Sequence, residues 1–160
     1  MIRGRIFWTV ILAAAIALSA RPAAAQSATS VTGAGAAVLA SGALYQTVSL
    51  TDLKFGMGVL LAAGGTSGDF ESTLIGTSTA GVPQTILVQG KPTAGSGSVS
   101  GANFSGLSIV DMGDGTPAVS GVPFALTVSL GADGKWTMLM ILGTTSLPTA
   151  TLSSGSITVK

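Results

Sequence analysis

The stretch PFALTVSLGADGKWTMLMILG, Pro123 to Gly143, decides how the chain is read. Phe124, Leu126, Val128 and Leu130 alternate with Ala125, Thr127 and Ser129, which is the period-two pattern of a strand with one face in a core. After Ala132-Asp133-Gly134 a second strand places Trp136, Met138, Met140 and Leu142 on one face and Thr137, Leu139 and Ile141 on the other. A three-residue loop with a left-handed Gly134 suits this turn. It sets Leu130 opposite Trp136, Val128 opposite Met138, Leu126 opposite Met140 and Phe124 opposite Leu142. A two-residue Asp133-Gly134 loop would shift the pairing by one and bring Thr127 and Ser129 beside Trp136 and Met138. With side-chain period two that slip inverts a whole face, so the first register is expected. Leu139 and Ile141 make the second strand apolar on both sides, which predicts a central position or an outer face covered by a partner.

Outward from the hairpin the same grammar repeats. Strands are expected within Ala43–Phe55 (broken near Thr51-Asp52), Gly58–Ala63, Asp69–Ile75, Gln84–Gln89, Val99–Phe104, Leu107–Met112 and Ser156–Lys160. Gly90–Ser98 reads as a loop, and the TTSLPTATLSSG segment after Gly143 as a loop with room for an edge strand. Short strands punctuated by Gly and Pro, with no 3.6-residue amphipathic pattern after residue 25, predict an all-β chain. The expected form is a single antiparallel β-sandwich of about 8–10 short strands. An eight-stranded outer-membrane barrel is the rival architecture. Against it stand the Gly-interrupted segments and an aromatic content of 5%, too low for two interfacial girdles.

The N-terminus has the three parts of an export signal. Arg3 and Arg5 are followed by the apolar run Ile6–Ala20, and Ala23-Ala24-Ala25 makes a cleavage site before Gln26. The expected organisation is a signal peptide over 1–25, a flexible small-residue segment over 26–42 with room for a short strand near Ala36–Ala40, and the β-sandwich domain over 43–160. Cleavage after Ala25 predicts a secreted, periplasmic or cell-surface protein with no stable membrane span once the signal is removed. With Arg3, Arg5 and Arg21 in the leader, the remaining chain has four lysines against six acids, a net of −2, and no arginine. Nucleic acid demands clustered Lys and Arg, so it is not an expected partner. Charged residues are only 8% and the chain is rich in Gly. Such a surface favours association with neighbours over repulsion.

Catalytic chemistry is narrowed by what is missing. With no His and no Cys, Ser-His-Asp and Cys-His catalysis and the usual zinc sites have no residues to use. Asp69 and Glu71, two apart on a strand, would project to one face as a carboxylate pair. A solvated polar face explains them more simply than glycoside hydrolysis. Asp111 and Asp114 in DMGDG faintly suit a calcium loop, although the EF-hand spacing is not met and an Asp-Gly turn suffices. Met57, Met112, Met138 and Met140 could offer thioethers to copper, and core filling gives the same pattern. Tyr45 and Trp136 are the candidates for a sugar-stacking platform, with core packing favoured for Trp136. Asn103-Phe104-Ser105 matches an N-glycosylation sequon, relevant only in a eukaryotic secretory pathway.

The run GGTSGDFESTLIGTST, Gly64 to Thr79, is similar to a phrase in secreted bacterial β-rich proteins of the exosortase-sorted (PEP-CTERM-like) kind. There a TGGSGDF…LxGT stretch begins a strand. Their Pro-Glu-Pro sorting signal does not occur in residues 80–160. The resemblance implies a surface or matrix location. Together these features predict an exported, non-enzymatic structural or surface-interaction protein without cofactor. Its partners would be further copies of itself or cell-envelope and matrix polysaccharide. A small carbohydrate- or ligand-binding module is the alternative.

Overall fold

A computed structural model describes residues 28–160, so the expected signal peptide lies outside the described residues. Ten strands form one antiparallel sheet: β1 (Thr29–Leu39), β2 (Leu44–Tyr45), β3 (Val48–Ala62), β4 (Gly65–Ser78), β5 (Pro83–Ser98), β6 (Gly101–Asp111), β7 (Val119–Leu130), β8 (Trp136–Leu142), β9 (Thr145–Ser146) and β10 (Ala150–Val159). The described residues contain no helix. The neighbour order runs β1-β10-β8-β7-β6-β5-β4-β3, and β1 also pairs with β3. Eight strands therefore close a ring, an up-and-down barrel, with β2 and β9 as short additions.

The all-β antiparallel class read from the sequence stands. Within it, the two layers are opposite walls of one closed sheet, because β1 joins the last strand to β3. That strand lies inside the segment expected to be flexible. Its Gly33 and Gly35 argue against a helix but not against a strand. A side chain at Gly35 would bring its Cβ within 2.1 Å of the Ser154 carbonyl oxygen. The glycine permits a close approach of β1 to β10 and does not mark a loose tail.

Strands are also longer than expected. The break near Thr51-Asp52 is a bulge, where the β3–β4 register shifts between Leu50 and Asp52. The stretch Gly90–Ser98, expected as a loop, continues β5. Its pairing with β4 ends at Gly90, so Pro92 lies where one edge of β5 has no ladder to interrupt. The bulge between Pro92 and Ala94 restores register with β6. Val99–Phe104 and Leu107–Met112 are likewise one strand, β6.

The β7–β8 hairpin has the expected register, from Phe124↔Leu142 to Leu130↔Trp136. Gly131 donates to the Lys135 carbonyl at 2.8 Å and Gly134 to the Gly131 carbonyl at 3.0 Å. Gly134 has φ +76°, the left-handed value its place in the loop requires.

The core fills the barrel. Phe70, Phe104 and Phe124 form its centre, with Phe70 stacked on Phe124 at 5.7 Å and Phe104 edge-on to Phe70 and Phe124 at 6.0 and 6.3 Å. Gly90 makes room for this cluster, since a Cβ there would meet the Phe124 ring at 2.7 Å. Leu53, Leu74, Ile86, Leu126, Met138, Leu142 and Leu147 are buried around them. The buried hydroxyls are satisfied: Ser72 Oγ donates to the Lys54 carbonyl at 3.1 Å and Ser108 Oγ to the Val122 carbonyl at 2.9 Å. The aromatic rings of this cluster lie inside, while the outer wall carries the exposed Lys54, Asp69, Glu71 and Lys91 together with exposed aliphatics such as Leu107, Ile109, Leu139 and Ile141.

Candidate functional site

With the interior occupied by its own side chains, the chemistry open to a partner lies on the outer wall. Period two sends Asp69 and Glu71 outward from β4, on either side of the inward Phe70. Cross-strand register then fixes their neighbours. Glu71 stands between Gly56 of β3 and Gln89 of β5, while Asp69 lies opposite Gly58. Gln89 and Lys91 face Ile109 and Leu107 of β6. Two parallel rows result: Gly56–Glu71–Gln89–Ile109 and Gly58–Asp69–Lys91–Leu107.

These rows line a groove of ≈ 600 Å³ crossing β3 to β7. Gly56 and Gly58 contribute no side chain and leave open space above the sheet, so the β3 side is low. Leu107 and Ile109 supply the apolar opposite side. Between them Lys91 Nζ donates to Asp69 Oδ1, and Gln89 Nε2 donates to Glu71 Oε2 at 3.2 Å. The Asp69 and Lys91 side chains are 73% and 75% exposed, which makes the ion pair a weak contributor to stability. The ladder presents unused donors on Lys91 and unused acceptor oxygens on both carboxylates. It can hold a ligand by hydrogen bonds and apolar contact. Glycoside hydrolysis asks for one desolvated carboxyl, and both of these stand on the open face.

Asp111 and Asp114 are not brought to this groove. Asp111 Oδ1 accepts from the Gly113 N–H at 2.9 Å. Asp114 Oδ1 accepts from Thr116 N–H at 2.9 Å and Oγ1 at 2.6 Å. The side-chain hydrogen bond from Thr116, aided by its backbone N–H, lowers the Asp114 pKa. One oxygen of each carboxylate thus caps the loop between β6 and β7. Among the described residues no group of three His, Cys, Asp or Glu stands together as a metal site.

Tyr45 is buried at the β2–β3 end, and burial raises its phenol pKa above the usual value, partly offset by a hydrogen bond with Gln46. Trp136 packs against the core from the β7–β8 turn. The two rings therefore sit on separate elements and form no joint platform. Met57, Met138 and Met140 are core side chains and Met112 packs against that core. Asn103 is exposed and donates to Ser96 Oγ at 3.1 Å.

Sequence reading found the acidic half of the groove and missed Gln89, Lys91, Leu107 and Ile109. Their two-residue spacings were visible, but only the register of four strands unites them. No protein-family model, curated protein or solved structure matches the chain.

Proposed function

We propose that the chain is an exported, non-enzymatic structural or surface-interaction protein that works through its outer wall and associates with copies of itself or with envelope material. The observation that carries this reading is the division of chemistry. The barrel interior is filled by its own Phe, Leu, Val and Met side chains, while hydrogen-bonding groups and large exposed aliphatics share the outer face of β4–β8. A chain so poor in charge has little electrostatic repulsion to hold neighbours apart. The export-type leader supports a location in the periplasm, at the cell surface or in the medium.

Sedimentation of the exported protein over a concentration series, together with co-sedimentation with isolated cell envelope, tests the reading. Concentration-dependent association or retention on the envelope is expected. A strictly monomeric protein that the envelope does not retain would end it.

The groove favours a second reading, a small carbohydrate- or ligand-binding module. Mixed donors and acceptors beside an aliphatic wall suit a neutral polyhydroxylated chain. Binding on a glycan array that is lost in Gln89→Ala and Glu71→Ala variants is the expected result for that reading, and silence on the array removes it.

A further inference from the structure

The strand glycines of this barrel divide into those that the fold needs and two that it does not. At Gly35, Gly76 and Gly106 an added Cβ would meet a backbone oxygen at 2.1, 2.2 and 2.0 Å. Among the in-strand glycines of the described residues, only Gly56 and Gly58 combine an ordinary φ with open space for a Cβ. Glycine weakens a strand that a side chain could strengthen, so the barrel gains nothing from either. A strand glycine of this kind marks a place where something outside approaches the backbone closely. Both face outward from β3 and line the groove, opposite Glu71 and Asp69.

The chemistry beside these glycines selects what approaches. Gln89 with Glu71 and Lys91 with Asp69 form two couples, each joining N–H donors to carboxylate acceptors. Two adjacent hydroxyls match such a couple, because each can donate to the carboxylate while accepting from the amide or ammonium. The couples stand two residues apart along the strands, ~7 Å, so each engages its own pair of hydroxyls. Leu107 and Ile109, half-exposed beside them, offer aliphatic surface to the C–H face of a sugar ring. Beyond the glycines β1 presents the small, exposed Ala34 and Thr32, paired with Gly56 and Gly58. The low side of the groove thus stays open to a ligand longer than the groove itself. A peptide strand is a poorer match, since it adds at an unpaired sheet edge, and Gly56 and Glu71 are laddered on both sides.

We infer that the groove binds an oligosaccharide carrying vicinal diols, laid over Gly56 and Gly58, with one diol held by Gln89 and Glu71 and a second by Lys91 and Asp69. The inference rests on the carbohydrate-binding reading above and adds to it the hydroxyl pattern of the ligand and the task of the two glycines.

The test is isothermal titration of the exported protein with cellohexaose, 1→4-linked mannohexaose and laminarihexaose. Every internal residue of the first two carries a vicinal diol, in trans and cis arrangement respectively, and no internal residue of laminarihexaose does. At least one of the first two should bind, and laminarihexaose should bind at least ~10-fold more weakly. Gly56→Val and Gly58→Val should each weaken that binding at least ~10-fold while melting at the native temperature or above. A structural role of the glycines would instead lower the melting temperature. Gln89→Ala and Lys91→Ala should each weaken binding ~5-fold or more through lost hydrogen bonds. If neither cellohexaose nor mannohexaose binds, the inference is overturned, and the carbohydrate reading survives only if a glycan array still shows binding that Gln89→Ala and Glu71→Ala abolish. Equal binding of laminarihexaose overturns the recognition of diols. Binding unchanged in both valine variants overturns the placement over Gly56 and Gly58. Should a valine variant fail to fold, Gly56→Ala and Gly58→Ala must weaken binding in the same direction.

Discussion

Two seams flank the closing strands of the barrel, and they differ sharply. At one, β1 pairs with β3 over ten residues, from Thr29↔Leu61 to Val38↔Asp52. At the other, β10 pairs with β8 at Ala150↔Met138 and Thr151↔Thr137 only. The cause is local. Thr145 and Ser146 of β9 pair with Leu142 and Ile141, and Leu147 N–H donates to the Met140 carbonyl at 2.9 Å. The return loop thus occupies part of the β8 edge, and the seven-residue β8 stops where β10 continues. β10 is held to the barrel chiefly through β1, with which it pairs at nine positions. A long ladder shares its cohesion over many residues, whereas closure through β10 depends on a single neighbour.

The largest test of this contrast strikes the β1–β10 contact. Gly35→Ala should cost ~3 kcal/mol or more, because its Cβ would lie 2.1 Å from a backbone oxygen and the strands must separate. Gly56→Ala, in β3 with open space around it, should be neutral or stabilise by up to ~1 kcal/mol. Urea unfolding of both variants checks the pair, and equal effects would remove the special role of the β1–β10 approach. Next, Thr137→Cys with Thr151→Cys places two thiols at paired positions across the short seam. Oxidation closes a short loop and should stabilise by ~2–3 kcal/mol. A calorimetric comparison of oxidised and reduced protein reads this directly, and no difference would mean that strain at the bridged seam offsets the entropy lost by the unfolded chain.

A smaller change gives a reference away from both seams. Gln46, in the Tyr45–Val48 turn, has φ +51°. Gln46→Gly should raise stability by about 1 kcal/mol in the same assay by relieving the left-handed strain. The smallest effect belongs to the outer ladder. Lys91→Ala breaks an exposed pair and should shift unfolding by less than ~0.5 kcal/mol. A loss of several kcal/mol there would show that the ladder helps hold the wall together.

The contrast also explains what the sequence could reveal. The β7–β8 hairpin was legible down to its register because large apolar residues alternate cleanly on both sides of an Asp-Gly turn. The bulge at Thr51 was visible as a break in alternation. Closure was hidden because β1 is written in Ala, Gly, Ser and Thr, whose small side chains hardly mark which face is inward. Gly90 and Pro92 concealed half of β5 for a related reason. The glycine serves an aromatic ring more than thirty residues away in sequence, and the proline lies on a locally unpaired edge. In the candidate groove Asp69 and Glu71 were identifiable as a same-face pair, but their bonds to Lys91 and Gln89 depend on which strand lies beside which.

The place of β1 has a consequence for how the protein is made. Val31 is bonded in register to Val159, so the first strand of the described residues waits for the last before its second edge is satisfied. Until then the growing chain is an open curl with a bare margin, able to add hairpins one after another but not to lock. Formation of the finished cylinder is therefore a late, long-range event, and any factor that shields that margin during synthesis acts on the yield of native protein more than on its final stability.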